Sequence, residues 1–548
     1  MILNLTILKL MKMSTFRLYL VILFSLSNSL LLFSQDILWE KSYGGKHADY
    51  LMDAQPTADY GFILVGSSLS KKTGKKTQDN IGDLDYWIWK MDEKGDLDWQ
   101  KNIGGSGSDL LQSIALTNDG GYILGGTSNS SKEFDKTEDC KGDDDFWIIK
   151  LNAKGGEEWQ KTIGGSGQEK LQSIKPTRDG GYIIGGSSSS YLTGDKTQDS
   201  FGNLDYWVVK IDKKGTIEWQ QTFGGMYADE LKSIAITYDG GFLLGGHSNS
   251  PISGNKTQDN SGDGDYWILK LDSKGTLEWQ KTIGGDNDDQ LNVVHQTYDK
   301  GYVLAGNSSS SATNEKTKTN QNGTDFWIVK LDEEGNIKWQ ETYDFGKVDI
   351  LTSLVENDDH SFLIGGIAKA AKSEKGKVGI TNAKAKKGTD DYIALKINEN
   401  GEELWNRIVG SNGEDVLKKI IETRDGGYLM TGTSNSKISG DRNTAIGSND
   451  FWVVKLKDDK KPDKVKPKIE ALPNPTNEYT NVIVGYDYES GTATLVDLAG
   501  HQLQQFDITS RTIPIDLRSY PEGIYIVNIK TNVQSDGVKI IKSLNKKN

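Results

Sequence analysis

The chain has 548 residues, with 62 glycines, 9 prolines, a formal charge of −13 and one cysteine, Cys140. That acidity excludes a nucleic-acid partner, which needs a clustered basic surface. A lone thiol permits neither an internal disulfide nor a cysteine zinc site, and the histidines at 47, 247, 295, 360 and 501 lack ligand spacing.

In chain order, Lys9, Lys12 and Arg17 precede an apolar run, Leu18–Phe33, followed by Ser34-Gln35. A basic start, an apolar middle and a small residue at the cut describe a secretory signal over residues 1–34. No cysteine stands near the cut, which argues against a lipoprotein anchor. No later stretch is long and apolar enough to span a bilayer, so the mature chain is expected to lack a transmembrane span.

A repeat follows. Trp39, Trp99, Trp159, Trp219, Trp279 and Trp339 stand sixty residues apart, and Trp405 ends the series. A fixed period of this size marks one supersecondary unit copied in series. Residues 109–165 show its content. The alternating segment Asp109–Thr117 (strand a) runs into the hairpin signal Asn118-Asp119-Gly120-Gly121. Tyr122-Ile123-Leu124 (b) leads to a Ser/Thr-rich loop. Asp145 opens Phe146–Leu151 (c), and a tight turn at Asn152–Gly155 leads into Glu158–Ile163 (d).

Strands b, c and d each occur seven times, but out of phase. The chain begins with a lone strand d, Leu38–Tyr43, and its seventh unit stops after strand c at Leu456. The orphan at the start fits the vacancy at the end. The expected fold is therefore all-β: a seven-bladed β-propeller over residues 35–457, closed by its N-terminal strand, which protects edges that an open array would leave bare. Strand c is apolar on both faces, as burial between neighbouring blades requires. The tryptophans of strands c and d are expected in the core.

Strand order puts the short a–b and c–d turns on one face and the long b–c and d–a loops on the other. Variable loops on a rigid scaffold are where binding residues concentrate, so the loop face is the candidate binding face. Its b–c loops repeat an acidic pattern: Asp79, Asp83 and Asp85; Asp139, Asp143 and Asp145; Asp199, Asn203 and Asp205; Asp259, Asp263 and Asp265. Carboxylates at this spacing suit calcium as a cofactor. They equally suit capping of strand c and solvation of a turn. The pattern decays in unit five at Thr319, Gly323 and Asp325. Unit six carries a longer b–c loop, Ala368–Lys387, rich in lysine, which suits an anionic glycan or lipopolysaccharide headgroup as partner, or a solvated insertion. No nucleophile–base constellation is present. The leading reading is a binding or adhesion module for a surface polymer or protein ligand. The alternative is a secreted glycan-active enzyme, a hydrolase or lyase, using loop carboxylates.

After Leu456 the charged, proline-bearing stretch 458–468 reads as a linker. Short strand patterns resume at Thr480–Val484, Thr492–Asp497, Gln502–Asp507, Thr512–Leu517, Ile524–Lys530 and Gly537–Lys542, as in a small β-sandwich over 469–548. Here Pro473-Asn474-Pro475, the Val496–Gly500 run ending in Gly500, Gly523-Ile524-Tyr525 and Lys539-Ile540-Ile541-Lys542 resemble the type A sorting domain of the type IX secretion system of Bacteroidota. The resemblance implies a type IX cargo that crosses the periplasm and engages that machinery for export to the outer surface or medium. The repeat resembles the Trp/Asp-Gly-Gly proteins often joined to such domains, a likeness that implies architecture and no activity.

Overall fold

The computed structural model describes residues 36–321, 323–369, 390–458 and 466–543. The expected signal and most of the lysine-rich loop of unit six lie outside these residues. Among the described residues the repeat is built of four-stranded antiparallel sheets in the order a–b–c–d, seven in number. Unit two consists of Asp109–Leu116, Tyr122–Ser128, Asp145–Leu151 and Glu157–Ile163. Strands b and c are buried along their whole length, and strand d only at its end.

The seventh sheet draws on both ends of the repeat. Asp415–Glu422, Tyr428–Ser434 and Asp450–Leu456 supply strands a, b and c. Ile37–Tyr43 then pairs antiparallel with strand c, setting Trp39 opposite Lys455 and Tyr43 opposite Phe451. Consecutive sheets pack face to face through aromatic pairs from their c strands. Tyr86 lies 4.9 Å from Trp147, Phe146 lies 5.1 Å from Trp207, and Tyr392 lies 4.8 Å from Trp452. Phe451 of the seventh sheet meets Trp87 of the first at 4.7 Å. The tyrosine pairs also share a hydrogen bond: the Tyr86 hydroxyl donates to the Trp147 carbonyl at 3.1 Å and that of Tyr392 to the Trp452 carbonyl at 3.2 Å.

The two tryptophan sets differ. Those of strand c, Trp87 through Trp452, are fully buried, as expected. Those of strand d from Trp39 to Trp339 are half-buried; Trp405 is 8% exposed. Strand d is outermost, so no further strand covers it. Each of these rings instead lies over the next unit's c–d turn: a Cβ on Gly155, whose φ is +77°, would stand 3.0 Å from the Trp99 ring. Trp99 also meets Tyr122 edge-on at 5.9 Å.

The C-terminal segment forms two sheets around one core. One joins Ile469–Leu472, Tyr479–Val484 and Thr512–Asp516; the other joins Gln502–Ile508, Gly491–Asp497, Gly523–Thr531 and Ser535–Lys542. Val482, Leu495, Ile515, Val527 and Ile540 fill the space between them. The strand Ile469–Leu472 is too short to be read from the sequence.

Candidate functional site

The two ends of the sheets carry opposite electrostatics. On the turn face, the Asp of each Asp-Gly-Gly hairpin meets a buried lysine near the end of strand c. Lys270 Nζ lies 2.8 Å from Asp239 and 2.9 Å from Glu278, and Lys150 lies 2.9 Å from Asp119 and 3.0 Å from Glu158. Burial pushes Asp239 upward, but bonds from Lys270, Thr237 and the Gly241 N–H outweigh it and hold the carboxyl at about 2. The C-terminal module sits on this face. Arg424 in the a–b turn of unit seven reaches Glu470 at 2.9 Å, and Arg511 and Lys466 converge on Glu93 in the first c–d turn at 2.8 and 3.0 Å.

On the loop face, the repeated aspartates part company. Asp79, Asp139, Asp199 and Asp259 each accept a backbone N–H seven residues upstream, from Lys72, Lys132, Leu192 and Ile252, at 2.6–2.9 Å. Asp83, Asp143, Asn203 and Asp263 point their side chains into solvent. Asp85, Asp145, Asp205 and Asp265 are fully buried, and each accepts the N–H four residues before it: Ile81, Lys141, Phe201 and Ser261. These bonds close the loop and cap strand c. Among the described residues, no three of these aspartates bring carboxylate oxygens within 4.8 Å of one another.

The buried aspartates belong instead to a belt. Beside each stands the first residue of the next unit's strand a: Asp205 beside Asp229, Asp265 beside Asp289, Asp145 beside Glu169. Burial first, then the neighbouring carboxylate, pushes Asp205 and Asp265 up to about 7 and Asp145 to about 6. One buried cation per unit faces the belt: Lys76, Lys136, Lys196, Lys256 and Lys316 in units one to five. In unit seven Arg442 bonds Asp450 at 2.5 Å with both side chains inaccessible. The lysines bond serine and backbone oxygens, as Lys76 does to Ser68 Oγ and Ser70 O, both at 2.7 Å. Burial drops Lys76 and Lys196 to about 8. Sequence reasoning passed over these lysines, although a Lys-Thr pair recurs at the same point of each of the first five loops.

A cavity of about 540 Å³ lies among the first strands. Its lining includes Met52, Gln112, Gln172, Lys232, Asn292, Thr352 and Lys418, the fourth residue of strand a in each of the seven units. In each strand the register slips at this residue, as between Leu111 and Ser113, so it has no partner on strand b. A bulge of this kind re-aims one side chain out of the pairing plane. The third residue is Leu in all seven units, whereas the bulged residue differs among them. Lysines dominate the charge of the cavity. Lys232 pairs with Glu230 at 2.6 Å and Lys419 with Asp53 at 3.6 Å. Among the described residues, no carboxylate lies within ion-pair distance of Lys175 or Lys418. Burial lowers the pKa of both, and Lys419 lowers Lys175 further.

The C-terminal motif residues are drawn together. Asn474, between Pro473 and Pro475, donates to the Lys539 carbonyl at 2.7 Å and accepts the Ile541 N–H at 2.9 Å. Lys542 is buried and caps the carbonyls of Leu517 and Tyr520 at 2.6 and 2.5 Å. The Tyr525 hydroxyl donates to Pro521 O at 2.6 Å, and Gly500 takes the left-handed turn position at φ +86°. Residues 470–543 match the secretion system C-terminal sorting domain. That match indicates export to the cell surface or the medium and implies contact with the secretion machinery. No helix among the described residues is long and apolar enough to cross a membrane.

The regulatory protein FlaEY of Caulobacter vibrioides is 24% identical over 208 residues, 36% of this chain and 22% of that protein. The chain thus spans about a fifth of that relative's length. A fungal alcohol oxidase of the AA5 family in complex with copper overlaps at 11% identity, TM-score 0.43, covering 92% of this chain and 99% of that one. Sqt1 from Chaetomium thermophilum overlaps at 12% identity, TM-score 0.40, over 82% and 96%. PorZ, a surface component of the type IX secretion system of Porphyromonas gingivalis, overlaps at 8% identity, TM-score 0.24, over 93% and 86%.

Proposed function

We propose that residues 35–457 form a closed seven-bladed propeller that binds an anionic surface polymer, an acidic glycan or lipopolysaccharide, through its central cavity. Residues 1–34 direct export to the periplasm, 458–468 link the ring to its C-terminal module, and 469–548 carry the chain through the type IX system. Closure is supported by the pairing of Ile37–Tyr43 with the last strand c and by a single cavity shared by all seven first strands. The observation that carries the binding reading is the ring of bulged residues: the scaffold beneath them repeats, while they vary and, among the described residues, leave Lys175 and Lys418 with no carboxylate at ion-pair distance. A polyanion neutralises such lysines, and its affinity falls with salt.

The test is retention of acidic and neutral polysaccharides and of lipopolysaccharide by the full chain, at low and high salt. Acidic polymers are expected to bind, and Lys175→Glu with Lys418→Glu to weaken binding by about tenfold or more. Equal retention of neutral polymers, or no effect of the two charge reversals, overturns the reading.

A further inference from the structure

The loop-face belt breaks its own pattern at one junction. In six of the seven units the residue after strand d is glycine: Gly44, Gly104, Gly164, Gly224, Gly284 and Gly410. The buried aspartate of strand c imposes that choice. A Cβ at Gly104, Gly164, Gly224, Gly284 or Gly410 would stand 1.9–2.2 Å from Oδ1 of Asp85, Asp145, Asp205, Asp265 or Asp391. Unit five has Asp344 there. A carboxyl has thus been placed on top of a carboxyl, at a site where the repeat tolerates no side chain. Asp325 has given way, and its bond to the Gln321 N–H is 3.0 Å where its equivalents in units one, two and four measure 2.6 Å.

The same junction has lost a donor. Ser68 donates to Asp49 at 2.5 Å, and Ser188 to Glu169 at 2.7 Å. Serine holds this position in every unit except the sixth, where Ala368 pairs with Asp349. Asp325, Asp344 and Asp349 bring carboxylate oxygens within 4.8 Å of one another. Asp325 and Asp349 are inaccessible to solvent, and each spends Oδ2 on backbone N–H groups, from Gln321 and from Phe345 and Gly346. Their Oδ1 atoms have no hydrogen-bond partner. Orphaned Oδ1 atoms recur elsewhere in the belt, but among the described residues no other belt carboxyl gathers two more within 4.8 Å. Here there are three carboxyls. The nearby lysine of unit five, Lys316, spends its ammonium on Lys318 O, Asn320 Oδ1 and Thr342 Oγ1.

We propose that Asp325, Asp344 and Asp349 bind one hard divalent cation, calcium, at the junction of units five and six. Calcium takes irregular all-oxygen shells and gains from each added carboxylate. Uncompensated buried acceptors are costly, and a divalent ion offsets the Oδ1 atoms of Asp325 and Asp349 at once, with the Asp344 carboxylate as its third ligand. Asp344 is only half-buried and gives the ion a way in from the loop face. This site is distinct from the b–c loop aspartates and from the central cavity, and it stands whatever the cavity binds.

The experiment is calorimetric titration of the chelator-treated full chain with CaCl2, with melting curves in calcium and in chelator. The wild type is expected to bind one equivalent and to melt several degrees higher with calcium. Asp344→Gly restores the residue of the other six units, so it should fold. It is expected to lose the isotherm and the calcium-dependent shift, and to melt above wild type in chelator. Asp344→Asn, which keeps the side chain's bulk, is expected to bind weakly. An absent isotherm with unchanged melting overturns the site, as does unaltered stoichiometry and affinity in Asp344→Gly.

Discussion

The turn face and the loop face are made by the same strands, yet they treat buried charge in opposite ways. On the turn face each buried lysine meets at least one carboxylate that is about half in water, so attraction is kept while little desolvation is incurred. Lys270 is 3% exposed and its partners Asp239 and Glu278 are 57% and 45% exposed. On the loop face, among the described residues, the carboxylates are themselves buried and outnumber their cations, and Asp145, Asp205 and Asp265 are pushed up to about 6 or 7. Reliable pairing suits a face whose short turns keep one length from unit to unit and that carries the C-terminal module. A belt with surplus carboxyl groups suits a face that takes up protons, cations or ligands. The difference shows how one repeat separates scaffold from site: the chemistry lies at the end of the sheets where departures such as Asp344 and Ala368 are found.

The sharpest way to break both faces together is to remove residues 36–43. This strand lays Trp39 over the first c–d turn at Gly95, and it meets the loop face through Ser42, whose hydroxyl contacts Thr444 and Arg442. Tyr43 is 1% exposed. Losing the strand uncovers strand c of unit seven and should cost roughly 5 kcal/mol or more, from two large aromatics and a row of backbone bonds. A melting curve that matches the intact chain would show that the seventh sheet does not depend on the N-terminus.

Next in size is a matched pair of lysine substitutions. Lys270→Met on the turn face removes the partner of Asp239 and Glu278, for a cost of about 1–3 kcal/mol, reduced because both acids are half-exposed. The cost should change little between pH 5 and 8, since Asp239 is ionised throughout. Lys256→Met on the loop face should behave differently. Its ammonium bonds Ser250 O, Gln258 O and Asn260 Oδ1 and faces Asp229 and Asp265 through space. At pH 5 Asp265, pushed up to about 7, holds its proton and the loss is small; at pH 8 it is charged and the loss grows. Urea unfolding at both pH values checks this, and equal pH dependence of the two variants would erase the distinction between the faces.

Much of this was legible in the sequence, for reasons that can be named. Strands b and c are fixed by short, continuous apolar runs and by the glycine-rich turns that bound them. Counting them exposed the offset between Leu38–Tyr43 and Leu456, and the pairing of those segments follows from it. The sorting motif was legible because its residues form one packed unit, Asn474 with Lys539 and Ile541. What could not be read depends on contacts across units. Asp85 and Asp109 belong to different sheets, so the belt looks in sequence like ordinary turn solvation. The bulge at Gln112 leaves no mark in the hydrophobic pattern. The strand d tryptophans read as core because apolar character does not reveal whether another strand lies outside. Asp344 was visible as a broken Gly-Gly pair, but its meaning needs the buried Asp325 beneath it.

The smallest expected effect is the most discriminating. Asp239 and Asp359 on the turn face are held at about 2, against an ordinary carboxylate near 3.8. Their stabilisation is present above pH 4 and fades as pH falls through about 2. Asp205 and Asp391 on the loop face are raised to about 7, by burial first and neighbouring carboxylates second. Their folded forms stay protonated where unfolded ones ionise, so stability is full below pH 4 and is lost as pH rises through about 7. The two faces together place the melting optimum near pH 4. Asp205→Asn should flatten the alkaline limb by a degree or two and leave the acid limb in place, while Asp239→Asn should do the reverse. Each substitution keeps the side chain's shape and one carbonyl oxygen, so a general loss of stability at every pH would mean that packing, not charge, governs these positions. Exchange of the two limbs between the variants would assign the raised and lowered carboxyls to the wrong ends of the sheets.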